Sequence, residues 1–274
     1  MKYFPEGWLK KRENYDLISI QKAYLDGEIL QGFVKKCNSD CNLIVSLGNN
    51  ITGIIPQNEV DYFSHDENGY TNPDICKYKE KSFVQFKIKG MVDDKMLLSR
   101  KEANKEAFNW FMENLKKGDI INGIVKNIRK YGVFVDIGAG VVGLLHVEDI
   151  SVSRIKSPEE RFKVGQKINV VIKDINEEKK QIVLSYKELL GSWEENVKNL
   201  KEGEIVEGII REKDKNKNGI FVELKPNLVG LADYKDDYQY GQMVLVYIRR
   251  IIKEKRKIKL EIKGGISDGR WWKY

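Results

Sequence analysis

Three copies of one pattern run through this chain, and this repetition constrains the fold more than any other feature. The first segment of the pattern reads GEILQG at residues 27–32, GDIING at 118–123 and GEIVEG at 203–208. Three further segments follow each copy in the same order. They lie at residues 53–56, 143–146 and 230–233, then 81–88, 166–172 and 242–248, then 96–99, 182–185 and 258–261. The interval between copies is too long for a solenoid repeat and indicates a small independent domain.

Within each copy, short runs alternate apolar and polar residues and are separated by turn residues. This period is typical of β-strands, and about five short strands per copy predict a small closed barrel. Glycines such as Gly138 and Gly143 mark tight turns and bends in the barrel wall. The sequence therefore predicts a mainly β chain with three tandem five-stranded barrels at residues 27–99, 118–185 and 203–263.

The segments between the barrels have a helical period, so we predict linker helices at residues 100–117 and 186–202. The first has an apolar stripe of Ala103, Ala107, Trp110, Phe111 and Leu115. The second linker also has an apolar stripe, with Glu194 and Glu195 on the opposite face. This stripe consists of Tyr186, Leu189, Leu190, Trp193, Val197 and Leu200. This spacing favours packing of short amphipathic helices against the barrels.

Both ends of the chain differ from the repeats. Residues 1–26 form an N-terminal helical segment, with the helix predicted at about 13–25. The tail, residues 264–274, is aromatic and basic and ends in the sequence RWWKY. The sequence leaves three alternatives open for it: packing on the last barrel, stacking on RNA, or disorder.

Charge and hydropathy narrow the functional classes. The 274 residues include 48 Lys and Arg against 41 Asp and Glu, a net charge of +7. This moderately basic balance favours a polyanionic partner without requiring one. No apolar run is long enough to cross a bilayer, and the N-terminus has no signal-peptide core. We therefore predict a cytoplasmic protein without a membrane partner.

The three cysteines, Cys37, Cys41 and Cys76, raise the question of a metal site. Tetrahedral zinc needs a fourth ligand, and His65 is the nearby candidate, in an irregular stretch. A second Cys-x-x-Cys half is missing from the sequence. We therefore predict free thiols, with no metal and no other cofactor.

The middle copy carries the most informative local pattern, between residues 126 and 146. In its strand Val133, Val135 and Ile137 point one way, while Phe134 and Asp136 point the other. The face carrying Asp136 is expected to sit in water, which places Phe134 on the outside. The basic residues around this aromatic are Lys126, Arg129 and Lys130. An exposed aromatic among cations is typical of a platform on which a nucleic-acid base stacks.

The sequence YGVFVDIG at residues 131–138, followed by GLLH at 143–146 and VGQKI at 164–168, resembles the S1 RNA-binding domain family. The resemblance extends from about residue 26 to 262 and is most specific in the middle copy. It implies oligonucleotide-binding (OB) barrels that contact single-stranded RNA. The contacts would come from two aromatics on the second strand and a histidine that ends the third. Those positions here are Tyr131, Phe134 and His146.

The resemblance also implies a polar pair near the last hairpin, and there this chain departs from the family. Asn176 stands where the family often has an aspartate. Gln181, with Lys180 beside it, stands where an arginine is usual. These departures weaken the polar half of the site and leave the stacking half unchanged.

Two members of the middle site keep alternative interpretations. Tyr131 lies three positions before Phe134, so a β-bulge at Gly132 is needed to put both on one face. Otherwise Tyr131 caps the end of the barrel core. His146 is either a ligand contact or a hydrogen-bonded structural histidine.

The other two copies lack parts of the motif. In the first, Cys41, Ile44 and Pro56 replace the two aromatics and the histidine, and residues 61–72 form an insertion. We therefore expect the first barrel to contact protein rather than RNA.

The third copy keeps the outward aromatic as Phe221, while Asn218 and Asp233 replace the tyrosine and the histidine. Its first loop carries Lys213, Lys215 and Lys217. These lysines form a solvated face or contact phosphates, which adds affinity without sequence preference, and the two interpretations do not exclude each other.

The leading functional interpretation is a single-stranded RNA (mRNA) binding protein of translation, with the small ribosomal subunit as a candidate partner. The first alternative is a free RNA-binding post-transcriptional regulator or accessory factor that does not bind the ribosome. A nuclease with barrels as substrate grips would need a further domain, a Walker motif or a paired-histidine metal site, so we predict no enzyme activity. A protein scaffold with vestigial RNA faces is the last alternative.

Overall fold

The computed structural model describes residues 2–8, 14–92, 95–214, 219–267 and 270–272. Within these residues there are sixteen β-strands and four α-helices. Contacts divide the chain into two compact units. The first unit comprises Met1–Ile128, Phe134–Leu144 and Lys163–Leu184, and the second comprises Arg129–Val133, Leu145–Phe162 and Ser185–Tyr274.

The four α-helices are α1 (Leu17–Asp26), α2 (Pro73–Tyr78), α3 (Arg100–Asn114) and α4 (Trp193–Val197). The predicted N-terminal helix corresponds to α1, which begins after the capping residue Asp16 and ends at Gly27 in a left-handed conformation. Helix α3 begins after Ser99, whose side chain accepts a hydrogen bond from the Glu102 amide. No helix in the described part of the chain has the length and apolar character needed to cross a membrane.

The first barrel consists of β1 (Leu30–Cys37), β2 (Leu43–Gly48), β3 (Ile51–Ile55), β4 (Phe83–Val92) and β5 (Lys95–Ser99). The strands close in the order β1-β2-β3-β5-β4, with β3 and β5 parallel. Leu43, Val45 and Leu47 alternate along β2 and are fully buried. This burial of every second residue matches the alternation in the sequence that predicted a barrel wall.

The second barrel has the same topology. Its strands are β6 (Ile120–Arg129), β7 (Gly132–Gly138), β8 (Val141–His146), β9 (Lys167–Asn176) and β10 (Gln181–Ser185). They close in the order β10-β8-β7-β6-β9. Counted from the first strand of each barrel, this is the cyclic order 1-2-3-5-4 of the first barrel.

The third barrel repeats this order with one addition. Its strands are β11 (Ile205–Asp214), β12 (Gly219–Lys225), β13 (Leu228–Asp233), β14 (Met243–Ile252), β15 (Lys257–Ser267) and β16 (Arg270–Trp272). Parallel pairing of β13 with β15 closes the barrel, and β16 pairs with β15. The predicted architecture of three tandem five-stranded OB barrels is confirmed. The tail adds a sixth strand, and β15 runs past the predicted boundary at residue 263.

The repeated glycines mark where the barrel wall folds closely on itself. A Cβ atom at Gly53, Gly143 or Gly230 would lie 2.5, 2.7 or 2.4 Å from a leucine of the closing strand. These leucines are Leu98, Leu184 and Leu260. A Cβ is not accommodated at such distances, so the same pair of residues recurs in all three barrels for a packing reason.

The second linker differs from the predicted single helix. It has a 3₁₀ turn at Lys187–Leu190 and then α4, which is five residues long. Gly191 separates the two with φ of 79°, and Ser192 caps the start of α4. A residue in that conformation cannot continue a helix, so the apolar stripe is divided between two short pieces.

Candidate nucleic-acid interface

Phe134 is the one residue of β7 that is not buried. Its neighbours Val133, Val135 and Ile137 are fully buried in the barrel, as the alternation predicted. Phe221 has the equivalent position in β12, where it is half-buried between the buried Ile220 and Val222. The two aromatic side chains predicted to point outward therefore do so in both barrels.

The expectation that Asp136 faces water is wrong. This side chain is fully buried, although it shares a face with Phe134. The N-terminal segment covers it, and the Glu6 amide donates to Asp136 Oδ2 at 2.9 Å. Burial raises the pKa of Asp136 despite the nearby charge of Lys126.

Of the three predicted basic contacts, Lys126 has an internal role. Its Nζ donates to the carbonyl oxygen of Glu6 at 3.0 Å and lies 3.4 Å from Asp136 Oδ2. Arg129, at the end of β6, and Lys130, in the following turn, are exposed. A phosphate group can therefore approach Arg129 and Lys130, while the ammonium of Lys126 already has partners.

Tyr131 lies in the turn that precedes β7, so strand alternation does not govern its side chain. Its carbonyl oxygen accepts a hydrogen bond from the Val147 amide at 2.9 Å. The residue is 52% exposed, so about half of its surface is accessible to a ligand. The bulge that the sequence interpretation assumed at Gly132 is not needed to bring Tyr131 to the surface.

His146 ends β8 and has a structural hydrogen bond. Its Nδ1 accepts from the Glu148 amide at 3.4 Å and so caps a 3₁₀ turn at Val147–Asp149. The imidazole is nonetheless 41% exposed. The cap uses Nδ1, so it is compatible with a ligand contact through the rest of the ring.

The residues predicted as the polar half flank the β9–β10 hairpin. Asn176 Oδ1 accepts from the Lys179 amide at 2.8 Å and thereby stabilises the turn. Lys180 has a left-handed backbone, with φ of 50°, and its Nζ lies 4.2 Å from the ring centroid of Tyr62. Gln181 is exposed at the start of β10. The cation–π contact with Tyr62, from the insertion in the first barrel, was not foreseen.

Sequence reasoning also missed a buried ionic cluster around Glu6. Arg100 Nε donates to Glu6 Oε1 at 2.7 Å, and Arg100 Nη1 donates to Asp61 Oδ2 at 2.9 Å. Lys79 Nζ lies 3.6 Å from Glu6 Oε2. Burial alone would raise the pKa of Glu6, but the charges of Arg100, Lys79 and Lys126 hold that pKa well below its usual range. An acidic residue in an irregular N-terminal segment gives no sequence signal for such burial.

In the third barrel, Lys213 has partners within its own domain. Its Nζ donates to the carbonyl oxygen of Asp236 at 2.8 Å and lies 5.2 Å from the ring centroid of Tyr234. Asp233 replaces the histidine, and its Oδ2 lies 3.2 Å from Arg249 Nη1. Lys215, Lys217 and Asn218 lie outside the described residues.

The first barrel has no aromatic at the positions that correspond to Tyr131 and Phe134.

The three cysteines are free thiols, and burial raises the pKa of Cys76 to about 12. Among the described residues, no group of three or more His, Cys, Asp and Glu side chains is arranged to hold a metal ion.

Comparison with known families identifies the middle barrel. The model of the S1 RNA-binding domain matches residues 114–187, which include all five strands from β6 to β10. A small ribosomal subunit protein bS1 of Staphylococcus saprophyticus is 34% identical over 193 residues, which cover 64% of this chain and 48% of that protein. A small ribosomal subunit protein bS1 homolog of Bacillus cereus is 29% identical and covers 92% of this chain and 67% of that protein.

Among solved structures, the solution structure of GSP13 from Bacillus subtilis is 23% identical, with a TM-score of 0.28. It covers 32% of this chain and 75% of that chain. The chain spans about half the length of the staphylococcal relative. The middle barrel of this chain is thus an S1 RNA-binding domain by its family match, and the chain as a whole is similar to proteins that carry the name small ribosomal subunit protein bS1.

Proposed function

We propose that this chain binds single-stranded RNA, with the second barrel as its principal site. The observation that carries the proposal is that the S1 match includes the barrel in which Phe134 points outward. A base stacks on Phe134, and Tyr131 and His146 provide further contacts on the turn before β7 and at the end of β8. Aromatic stacking accepts any base, so this part of the site confers little sequence preference.

Phosphate contacts complete the proposed site. Arg129 and Lys130 are exposed cations next to the strand that carries Phe134. Asn176, Lys180 and Gln181 line the β9–β10 hairpin and form the polar half. Lys126 contributes to stability instead, because its ammonium is held by Glu6 and Asp136.

The third barrel acts as a weaker second site through Phe221, with Lys213, Lys215 and Lys217 as the proposed phosphate contacts. Two weak sites on one chain reinforce each other, because binding of the first raises the effective RNA concentration at the second. The first barrel lacks the stacking residues, so we assign it to protein contact rather than RNA contact.

The biological setting that we propose is translation in the cytoplasm, with mRNA as ligand and the small ribosomal subunit as partner. Support comes from relatives that carry the name small ribosomal subunit protein bS1. Co-sedimentation with small subunits at moderate salt tests this partner. Full RNA affinity with no co-sedimentation would instead favour a free post-transcriptional regulator or accessory factor.

RNA binding itself is tested by titrating a fluorescent unstructured RNA over a range of salt concentrations. Loss of one stacked base in Phe134→Ala should cost about 1–3 kcal/mol. Tyr24→Ala is the control, because it removes an exposed aromatic of α1, outside the second barrel. Wild-type binding that ignores salt, together with full affinity in Phe134→Ala, would refute the proposal.

We also propose that the chain does not catalyse a reaction on RNA. Support comes from the S1 domain, whose model describes binding. Incubation of labelled RNA with and without Mg²⁺ tests this point, and intact RNA in both cases is the expected result. Cleavage that depends on the protein would overturn it.

A further inference from the structure

The segment between β8 and β9 packs against strands of the third barrel within the second compact unit. The Ser153 amide donates to the carbonyl oxygen of Pro226 at 3.0 Å, and the Val152 amide donates to Asn227 Oδ1 at 3.1 Å. These bonds hold residues 152–153 beside the turn between β12 and β13. A segment that connects two strands of the second barrel thus becomes part of the surface around Phe221.

The carboxylate of Glu223 binds side chains of this segment and holds it against β12. Glu223 lies two residues after Phe221 on β12 and is almost fully buried. Arg161 Nη2 lies 2.6 Å from both of its oxygens, and Arg211 Nε donates to Oε2 at 2.6 Å. Ser153 Oγ also donates to this carboxylate. A buried carboxylate with this many charged donors fixes the position of both strands and segment.

A second group of bonds fixes the other end of the segment. The Tyr240 hydroxyl donates to Glu160 Oε1 at 2.6 Å, and the Lys156 amide donates to the Tyr240 hydroxyl oxygen at 2.9 Å. Arg211 Nη1 forms an ion pair with Glu160. The residues between these two anchored ends, including Arg154, are therefore held over the β11–β12–β13 surface.

Between the segment and the strands lies a pocket of about 230 Å³. The residues that line it are Val152, Arg154, Arg211, Glu212, Phe221 and Val229. Pockets for drug-sized ligands typically have volumes of roughly 300–1,000 Å³, so this smaller pocket suits one flat ring system. The Phe221 ring and two valine side chains offer apolar contact, and two guanidinium groups lie at the same place.

At the rim of this pocket, the Arg154 guanidinium has N–H donors beyond those it uses with Glu212. Its side chain is 78% exposed, and both of its hydrogen bonds to Glu212, of 2.8 and 3.0 Å, come from Nη1. A guanidinium has five N–H donors in a fixed planar arrangement. Within the described part of the chain, Arg154 therefore has N–H donors on Nη2 and Nε for a phosphate oxygen. Glu212 orients the group.

We propose that Arg154 and Phe221 together form a nucleotide site on the third barrel. The base stacks on Phe221 between Val152 and Val229, and the Arg154 guanidinium contacts its phosphate. The segment 150–161 thereby compensates for the missing tyrosine and histidine of this barrel. The inference rests on the proposed RNA-binding function and adds a ligand contact contributed from outside the third barrel.

A double-mutant cycle on the full chain tests the shared site, with the same fluorescent unstructured RNA as probe. Phe221→Ala should weaken binding at least about fivefold, the equivalent of one stacked base. Arg154→Ala should lower the steepness of the salt dependence by about 0.7 in the log–log slope, because one phosphate contact is lost. Since both residues hold one nucleotide, the double variant should lose at least about twofold less than the product of the single losses.

Lys198→Ala is the charge control, because Lys198 is an exposed cation of the same unit outside the pocket. Phe221→Leu replaces Phe221→Ala in the cycle if thermal unfolding shows that the alanine variant is not folded. Losses that multiply fully, or an Arg154→Ala effect equal to that of Lys198→Ala, would overturn the shared site. The proposed function survives those outcomes as long as Phe134→Ala still weakens a salt-dependent complex.

Discussion

Arg100 and Glu6 form a two-point ion pair in which each side chain is only 1% exposed. Arg100 Nε donates to Glu6 Oε1 at 2.7 Å, and Nη2 donates to Oε2 at 3.2 Å. The same guanidinium reaches the carbonyl oxygen of Gly140 at 3.3 Å. One side chain thus joins the N-terminal segment, the start of α3 and the turn between β7 and β8 within the first unit.

Replacement of Glu6 should therefore destabilise the first unit. Glu6→Gln leaves the buried Arg100 without its closest anion, and loss of one partner from a buried pair costs about 3–5 kcal/mol. Chemical denaturation measures the change. Glu28→Gln, at an exposed carboxylate, should change stability by less than about 0.5 kcal/mol. Equal effects of the two variants would show that the buried pair adds little.

Acid should act through the same carboxylate. Because the pKa of Glu6 is held below its ordinary value of 4.5, Glu6 adds stability above that pH. That contribution should decline as the pH falls below 4.5 towards the lowered pKa of the folded state. The difference in unfolding free energy between wild type and Glu6→Gln, measured from pH 6 to pH 3, should shrink accordingly. A difference that is constant with pH would contradict the lowered pKa.

Substitution of Lys126 should lower the stability of the protein, whereas substitution of Arg129 should change RNA binding. Lys126→Ala removes the cation beside the buried Asp136 and should cost about 3–5 kcal/mol of stability. Arg129→Ala, at an exposed position, should leave stability within about 0.5 kcal/mol. The same change should reduce the salt dependence of RNA binding by about 0.7 in the log–log slope. Thermal unfolding and RNA titration of both variants provide the comparison, and exchanged phenotypes would invalidate the assignment.

The repeated glycine–leucine contact predicts a compensating pair. In Gly143→Ala the new methyl group would meet Leu184 Cδ1 at 2.7 Å, and overpacking of this kind costs about 1–3 kcal/mol. Combining it with Leu184→Ala makes room, so the double variant should be less destabilised than the sum of the two single variants. Additive losses in chemical denaturation would mean that the two residues do not share this contact.

Much of the architecture could be predicted because it depends on local patterns. Alternation along β7 and β12 identified which side chains fill the barrels, and it placed Phe134 and Phe221 outside. Helix α3 followed from its apolar stripe. The second linker was mispredicted as one helix because periodicity ignores the left-handed backbone of Gly191.

The site was predicted less completely, because exposure depends on which distant segment covers a surface. Alternation correctly put Asp136 on the outer face of β7, but the N-terminal segment buries it there. The same segment holds the ammonium of Lys126. Arg154 gave no sequence signal, since its proposed role depends on a pocket formed with the third barrel.

The three repeated barrels and their outward aromatics follow from local sequence, because period-two burial and close glycine packing are encoded within each repeat. Which polar groups beside those aromatics stay accessible depends on contacts between distant segments. The Glu6 amide reaches Asp136 across 130 residues, and Arg161 reaches Glu223 across 62. A burial pattern within one strand contains no information about a segment that arrives from so far along the chain.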